Sequence, residues 1–564
     1  MAVKVLKSKS YDDYSKGAYQ SVGENLAPEN SVKLNLNMDS DDTLGDLVLR
    51  KGSTLINAQI IDAKPVLGLH NFRDSVGSGS KLFAVLSDGT NNDIYDVLTG
   101  SKSLQDDTKD LKTRFLTYLD ACLRLNGTDA PKWWNGISWK TTKTGATFTV
   151  DAGTDTITSA AHGLLNGDII TVSAATTIPT GLAASTNYYV RDKGDNTFKL
   201  SATSGGAAID ITDTGTGTLT WYNWDPFNVA NFPSGAKFAL EFKDRIHVGG
   251  FDNNPDRVDI SGIANSNTRT VSWTVDNKFI LLEQEDGGGG LTGIAKVPGY
   301  VLYFKKRTMK RYDGSSAYPE DMINHGVISQ ECIVVADTIC FFANNKGAWA
   351  TEGGKPKKIS TFNVDKVIKS LSAANWATVA SGTDEEHVYW SFSSVTMNKE
   401  TFANVVLKYN INQNTWDIRQ YPTMHRVYTK YIDSSGEEFL TTGDDDGNVL
   451  KLNIGTTDNG TPITFSVETQ DWTFGFPLFI KSISQIGFVT EGISKGRVMW
   501  RETGNPEDWK PLCTIDKEEV LLGNIDIRAT RYNFKITDTT DSGSAIVKGI
   551  HFPQGIKVFD SSTT

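Results

Sequence analysis

The side chains able to do chemistry in this sequence are plentiful but poorly gathered. Seven histidines run from His70 to His551, and no HxH or HExxH pair occurs among them, so zinc has no ligand set at the usual spacing. His162 sits in AHGL, where a turn role fits better than a ligand role. Asp444, Asp445, Asp446 and Gly447 form GDDDGN, which looks like the opening of a calcium loop. It lacks the alternating ligands and closing Glu of an EF-hand, and reads instead as an acidic hairpin turn. The glycine run Gly287–Gly290 follows EQEDG and leads into no GKS or GKT, so it is a loop and not a phosphate cradle. A carboxylate pair such as Glu283 and Glu285 could serve glycoside hydrolysis, but the required separation is spatial and the spacing in sequence does not single them out.

Two further clusters point toward binding. The adjacent Trp133 and Trp134, in a chain with 13 Trp, suit either sugar stacking or packing between sheets, and packing is the favoured reading. Lys305, Lys306, Arg307, Lys310 and Arg311 in KKRTMKR form the one strong positive cluster, able to meet DNA, an acidic neighbour or a host surface, or simply to face solvent. The four cysteines, Cys122, Cys332, Cys340 and Cys513, make no CxxC pair and no disulfide framework, so free, reduced thiols are expected. The expectation is a protein that is not an enzyme, with no catalytic, metal or cofactor site.

The elements that must position these residues are mostly strands. Segments such as KLFAVLS, KFALEFKDRIHVGG, GYVLYFKKRTMKRYDG and NVVLKYNINQNTWDIRQ alternate apolar and polar residues and end in turn signals. Gly is abundant (51) and Pro scarce (16), as many tight turns require. The best helix candidate is 364–381, where Val364, Val367, Ile368 and Leu371 share a face. An internal repeat links Phe115–Gly127 with Phe238–Gly250. Each copy is a strand, a turn centred on Gly, an exit with Asp and Pro (Asp129 and Pro131; Asp252 and Pro255), then a second strand. Looser copies follow at spacings of roughly 40 to 60 residues, which suit propeller blades better than a sandwich.

With 564 residues the chain is long enough for roughly three to four domains. The expected organisation is an arm with first strands over 1–60, blades over 61–140, an inserted β-domain over 141–222, further blades over 223–472 and a β-sandwich over 473–564. The fold class is all-β: a β-propeller with an inserted small β-domain and a C-terminal β-sandwich-like platform. The insertion is marked by its wealth of Thr, Gly and Ala and by the absence of Arg until Arg191. The opening MAVKVLKSKSYDDYSKGAY has no apolar signal core, and no stretch reaches membrane-helix length. A formal net charge of -11 argues against gripping nucleic acid and suits a wall past which DNA slides.

Segments 40–140 and 223–564 resemble the tail nozzle or hub proteins of podoviruses, which include the tail-tubular and packaged-DNA stabilisation proteins. The residues that carry the likeness are LRKGST, FKDRIHVGGFDNNPDRVDIS, SWTVDNKFI, GGLTGIAKVPGYVLYFKKRTMKRYDG and ISQECIVVADTICFFANNKGAWATEGGKPKKIS. The insertion is similar to a small β-module of phage virion proteins, through AAHGLLNGDIITV, TNYYV, NTFKLS and GTGT. What the resemblance implies is a virion tail protein assembled in the bacterial cytoplasm. It implies a homo-oligomer, a hexameric ring below the head-to-tail connector, that passes genomic DNA without sequence-specific contacts and docks tail fibres or spikes. The rival reading is a glycan-binding or receptor-binding propeller of another virion component.

Overall fold

The computed structural model describes residues 3–20, 27–40, 45–56, 64–75, 80–274, 278–283, 289–493, 495–502, 509–538 and 544–559. The chain divides into two compact units, one of residues 67–326 and one of 1–66 with 327–564. The fold class is an all-β propeller with an inserted barrel and a sandwich platform.

In the unit 67–326, four sheets of four antiparallel strands follow one another. The first comprises Val66–Phe72, Lys81–Ser87, Asn92–Asp96 and Ser101–Gln105; the second, Arg114–Tyr118, Ala121–Leu125, Lys132–Trp134 and Trp139–Lys140. The third comprises Phe238–Phe242, Arg245–Gly249, Arg257–Ile260 and Lys278–Leu281; the fourth, Leu291–Val297, Tyr300–Lys305, Met309–Tyr312 and Glu320–Ile323. The internal repeat covers the second and third of these blades. What reads in sequence as one strand before the glycine turn is a hairpin, closed by Leu119-Asp120 in one copy and Lys243-Asp244 in the other. Both residues of each pair have positive φ, the backbone of the tight two-residue hairpin turn.

Trp133 and Trp134 show why blades need neighbours. Side chains alternate across a strand. Trp133 therefore faces one way, into a core with Leu123, Ile246, Phe227 and Trp273, while Trp134 faces the other, against Phe83 and Val85. Both are buried, so the pair packs blade against blade.

Between the second and third blades lies a closed barrel of six strands, from Gly145–Asp151 to Leu219–Asn223. Its core is its own, with Phe148, Ile157, Val172, Phe198, Leu200 and Trp221 inside. It is nonetheless fastened to the blades. Asp168, 1% exposed, accepts from Asn135 Nδ2 (2.8 Å), from the Leu165 amide (2.9 Å) and from Lys140 Nζ (3.2 Å). Ile169 at the barrel's base joins the apolar core that holds Trp133.

In the other unit, three more blades follow. One is Ile333–Ala336, Ile339–Asn344, Gly347–Thr351 and Lys357–Lys358. The next, Ala380–Thr383, His387–Met397, Glu400–Asn410 and Thr415–Gln420, runs into a nine-stranded sheet through a parallel bridge of Leu36 to Ile418. The last, His425–Ile432, Glu438–Asp444 and Val449–Leu452, takes its fourth strand from Ser53–Leu55, residues that precede the first blade in sequence. The helix expected over 364–381 is two short pieces, Asp365–Ser370 and Ala373–Ala377. Ser372 separates them by capping the second, its hydroxyl accepting from the Asn375 amide while the Asn375 side chain accepts from the Ser372 amide.

The platform is a two-sheet sandwich. One face has eight strands, including Val3–Leu6, Leu47–Leu49, Ile480–Glu491 and Ile546–Phe552; the other is the far end of the nine-stranded sheet. Residues 1–60, read from sequence as an arm, place Tyr11, Tyr14, Val32, Met38 and Leu47 in the same core as Phe488, Phe534, Ile536 and Phe552. Burying such a set removes enough apolar area to hold both ends of the chain in one body.

Candidate functional site

The exits of the two repeat copies frame a basin of about 680 Å³ within the unit 67–326. Gly127 and Thr128 come from one copy, Phe251 through Asn254 with Arg257 and Asp259 from the other, and Asn231, Ser234 and Gly235 from the segment between. Gly250 turns the chain there with φ +83, and a Cβ would lie 2.6 Å from the Phe238 ring. That backbone favours glycine on both counts. The turn Val229–Asn231 enters the basin under the buried Asp225, whose carboxylate accepts from the Val229 amide (2.8 Å) and the Phe227 amide (3.2 Å). Burial pushes the Asp225 carboxyl up to about 6, ahead of the amides that pull it down.

The charges of the basin are already matched. Arg257 forks onto Asp259, with Nε at 2.9 and 3.1 Å and Nη2 at 2.7 Å, and lies over the Phe279 ring. Lys237 pairs with Asp252. Trp273 forms part of the wall, buried, its indole N–H donating to the Phe227 carbonyl at 2.7 Å. The groups left facing the space are amides and hydroxyls, from Asn231, Asn253, Asn254, Thr128 and Ser234. Such a lining suits a neutral polyhydroxyl ligand better than a phosphate, which needs uncommitted cations.

The residues singled out in the sequence are dispersed. The basic cluster is largely consumed. Lys305 is buried against Asp256 at 2.9 Å and donates to the Leu282 and Glu283 carbonyls. Lys310 pairs with Asp321 and Glu283, and Arg311 with Glu320. Only Lys306 and Arg307 of the five stand exposed. Asp444 is buried and ties its own turn, accepting from the Asp446 and Asn448 amides and from Thr423 Oγ1, while Asp445 pairs with Arg426. His162 likewise serves a turn, taking the Leu164 amide on Nδ1 at 3.0 Å. Glu285, Gly287 and Gly288 lie outside the described residues, and Glu283 is committed to Lys310. The four thiols are unpaired, and burial pushes Cys513 up to about 11 and Cys332 up to about 12. Among the described residues, no group of three or more His, Cys, Asp and Glu side chains is placed to hold a metal. None of the described helices is long and apolar enough to cross a membrane.

The basin itself was half legible. Its rim is the FDNNPDR exit that the repeat exposes, but nothing in the sequence marks Asn231 or Trp273 as its other walls.

No family model matches the chain, and no curated protein matches it. The chain is similar in structure to the β-propeller domain of Myceliophteria thermophila Cps50 (Swd1), at 9% identity and a TM-score of 0.36, over 71% of this chain and 99% of that one. It is also similar to a chain of the Mitotic Checkpoint Complex (8% identity, TM-score 0.33, 72% and 93% covered) and to U3-55K (7%, 0.32, 71% and 98%).

Proposed function

We propose that this chain is a structural protein of a virus particle, the ring-forming tail nozzle of a short-tailed phage. One observation carries the reading. The segments that resemble the nozzle family fold as blades and platform, and the segment that resembles a phage virion β-module is a separate closed barrel seated between two blades. The net charge of -11 supports a role beside DNA without gripping it, and the internal pairing of Lys305, Lys310 and Arg311 leaves only Lys306 and Arg307 exposed in the one strong basic cluster that argued otherwise. On this reading the protein has no catalytic task. Its partners are further copies of itself, in a ring of six, the connector above, and fibres or spikes below. The test is co-sedimentation of the full chain with a purified podovirus head-to-tail connector from the same phage. Binding at a fixed ring stoichiometry is expected; a chain that ignores the connector overturns the reading.

The basin favours a second reading, a propeller that binds a host glycan. A glycan array separates the two, because a nozzle gives no saturable signal that disappears with Asn253→Ala and Asn254→Ala.

A further inference from the structure

Each of the four blades in the unit 67–326 ends in a strand that, among the described residues, has a neighbour on one side only. Such an edge offers a row of unpaired amides and carbonyls, and a charged side chain is a common guard against stray pairing. Ser101–Gln105 carries the exposed Lys102, Trp139–Lys140 carries Lys140, and Glu320–Ile323 carries the exposed Glu320 and Asp321. The third blade differs. Its last strand, Lys278–Leu281, exposes Phe279 (55%) and Leu281 (57%). Its one charge is turned away: Lys278 Nζ donates to the Tyr312 hydroxyl and to the Gly314 carbonyl (3.1 Å) of the next blade.

Phe279 and Leu281 are two positions apart and so share a face, while Ile280 between them is buried with Val258 and Leu282. On the neighbouring strand they stand opposite Asp259 and Arg257. The Arg257 guanidinium lies 4.6 Å from the centre of the Phe279 ring and forks onto Asp259, so the ring is held and the local charge is balanced. The basin lies toward the Leu281 end of this strand, because Asn253 and Asn254 precede Arg257, the register partner of Leu281.

We propose that the edge Lys278–Leu281 is a docking site for an extended segment of a partner protein, which adds a strand to the third blade. The unused main-chain row makes the occupant a strand. Phe279 and Leu281 set its side chains: apolar at two positions two apart, each across from one of them. The side-chain amides of Asn253 and Asn254 both donate and accept, and so take the partner's main chain where it runs past Leu281. A glycan would use those amides and leave the edge row idle. The balanced charge at Arg257 and Asp259 gives acidic or basic segments no advantage. The site goes beyond the nozzle reading and does not depend on it; that reading supplies fibres or spikes as the source of such a segment.

Fluorescence polarisation of the full chain against a labelled peptide of alternating Thr and Val, flanked by Gly and Ser, tests it. Saturable binding is expected. Phe279→Lys with Leu281→Lys restores the guard that the other blades carry and is expected to weaken binding about tenfold, the worth of two cross-strand apolar pairs. Both positions are exposed, so folding is preserved. Phe279→Leu keeps an apolar side chain and is expected to bind nearly as the wild type does. The same peptide with a central Pro cannot complete the ladder and is expected not to bind. No saturable binding by the wild type, equal binding by the double Lys variant, or equal binding of the Pro peptide would overturn the proposal. An oligosaccharide signal lost with Phe279→Lys, in a chain that takes no peptide, would overturn it in favour of a carbohydrate. Co-sedimentation with the connector is a separate readout: a chain that binds the peptide but ignores the connector sinks the nozzle reading alone, and the reverse sinks this site alone.

Discussion

Removing Asp458 should open the last blade where Ser53–Leu55 completes it. Arg50 precedes that strand and is fully buried. Its Nη1 donates to Asp458 Oδ1 (2.9 Å) and the Lys51 carbonyl (3.0 Å), its Nη2 to Asp458 Oδ2 (2.5 Å) and the Gln420 carbonyl (2.6 Å), and its Nε to Asn37 Oδ1 (2.8 Å). The guanidinium lies 4.1 Å from the centre of the Tyr421 ring. Asp458→Ala leaves a buried cation with three neutral acceptors and no counter-charge. Breaking a buried pair by deleting one partner costs about 3–5 kcal/mol, and the remaining acceptors place this case near the lower figure. Arg50→Met strands the carboxylate with little beyond the Ser53 hydroxyl at 3.3 Å and should cost about 4 kcal/mol. Replacing both by apolar residues, Arg50→Met with Asp458→Leu, leaves no buried charge and should cost clearly less than the sum of the two. The assay is hydrogen exchange of peptides covering Ser53–Leu55 and Val449–Leu452, which pair in this blade, beside urea unfolding of the full chain. A loss under about 1 kcal/mol for Asp458→Ala, or strictly additive losses, would refute the claim that this pair secures the blade.

Other substitutions read other parts of the fold. Gly52→Ala places a Cβ 2.0 Å from the Thr457 carbonyl oxygen, so the same peptides should lose protection and stability should fall by about 3 kcal/mol or more; a wild-type melting profile would contradict this. Asp168→Ala removes three bonds at the base of the barrel and should make 140–144 cleavable by protease while the barrel core stays protected. His425 is buried, and burial, then Arg50 and Arg419, hold its imidazole down to about 3. The unfolded chain binds that proton near 6.5, so stability falls as pH drops from about 6.5 toward 3, by about 1.4 kcal/mol per pH unit for this one group. His425→Gln should flatten the acid limb of the denaturation profile by that slope, and an unchanged limb would exclude His425 as its source.

Much of the architecture could be read from local pattern. Alternation and turn residues marked the strands, and composition marked the barrel, because both are local properties. The platform was harder. Tyr11, Val32 and Leu47 lie in stretches that read as irregular, and partners more than 430 residues away, Ile550 for Tyr11, Thr469 for Val32 and Val547 for Leu47, complete their strands. The repeat was visible, yet its first half hid a hairpin, since Leu119-Asp120 and Lys243-Asp244 contain no glycine to announce a positive-φ turn. Charge patterns misled where pairing is non-local. KKRTMKR looks like a basic face, and its neutralisers Asp256, Glu283, Glu320 and Asp321 come from neighbouring strands and loops. Val3–Leu6, Ile480–Glu491 and Ile556–Phe559 likewise come together only through strand order.

The central claim is that the chain builds a ring with an axial passage for DNA. Electron cryomicroscopy of the purified full chain tests it most directly. The account expects closed rings, with the four-stranded blades and the sandwich resolved in each subunit and an open passage on the axis wide enough for duplex DNA. Single particles with no rotational symmetry at any concentration, together with saturable glycan binding in the basin of Asn253 and Asn254, would contradict it.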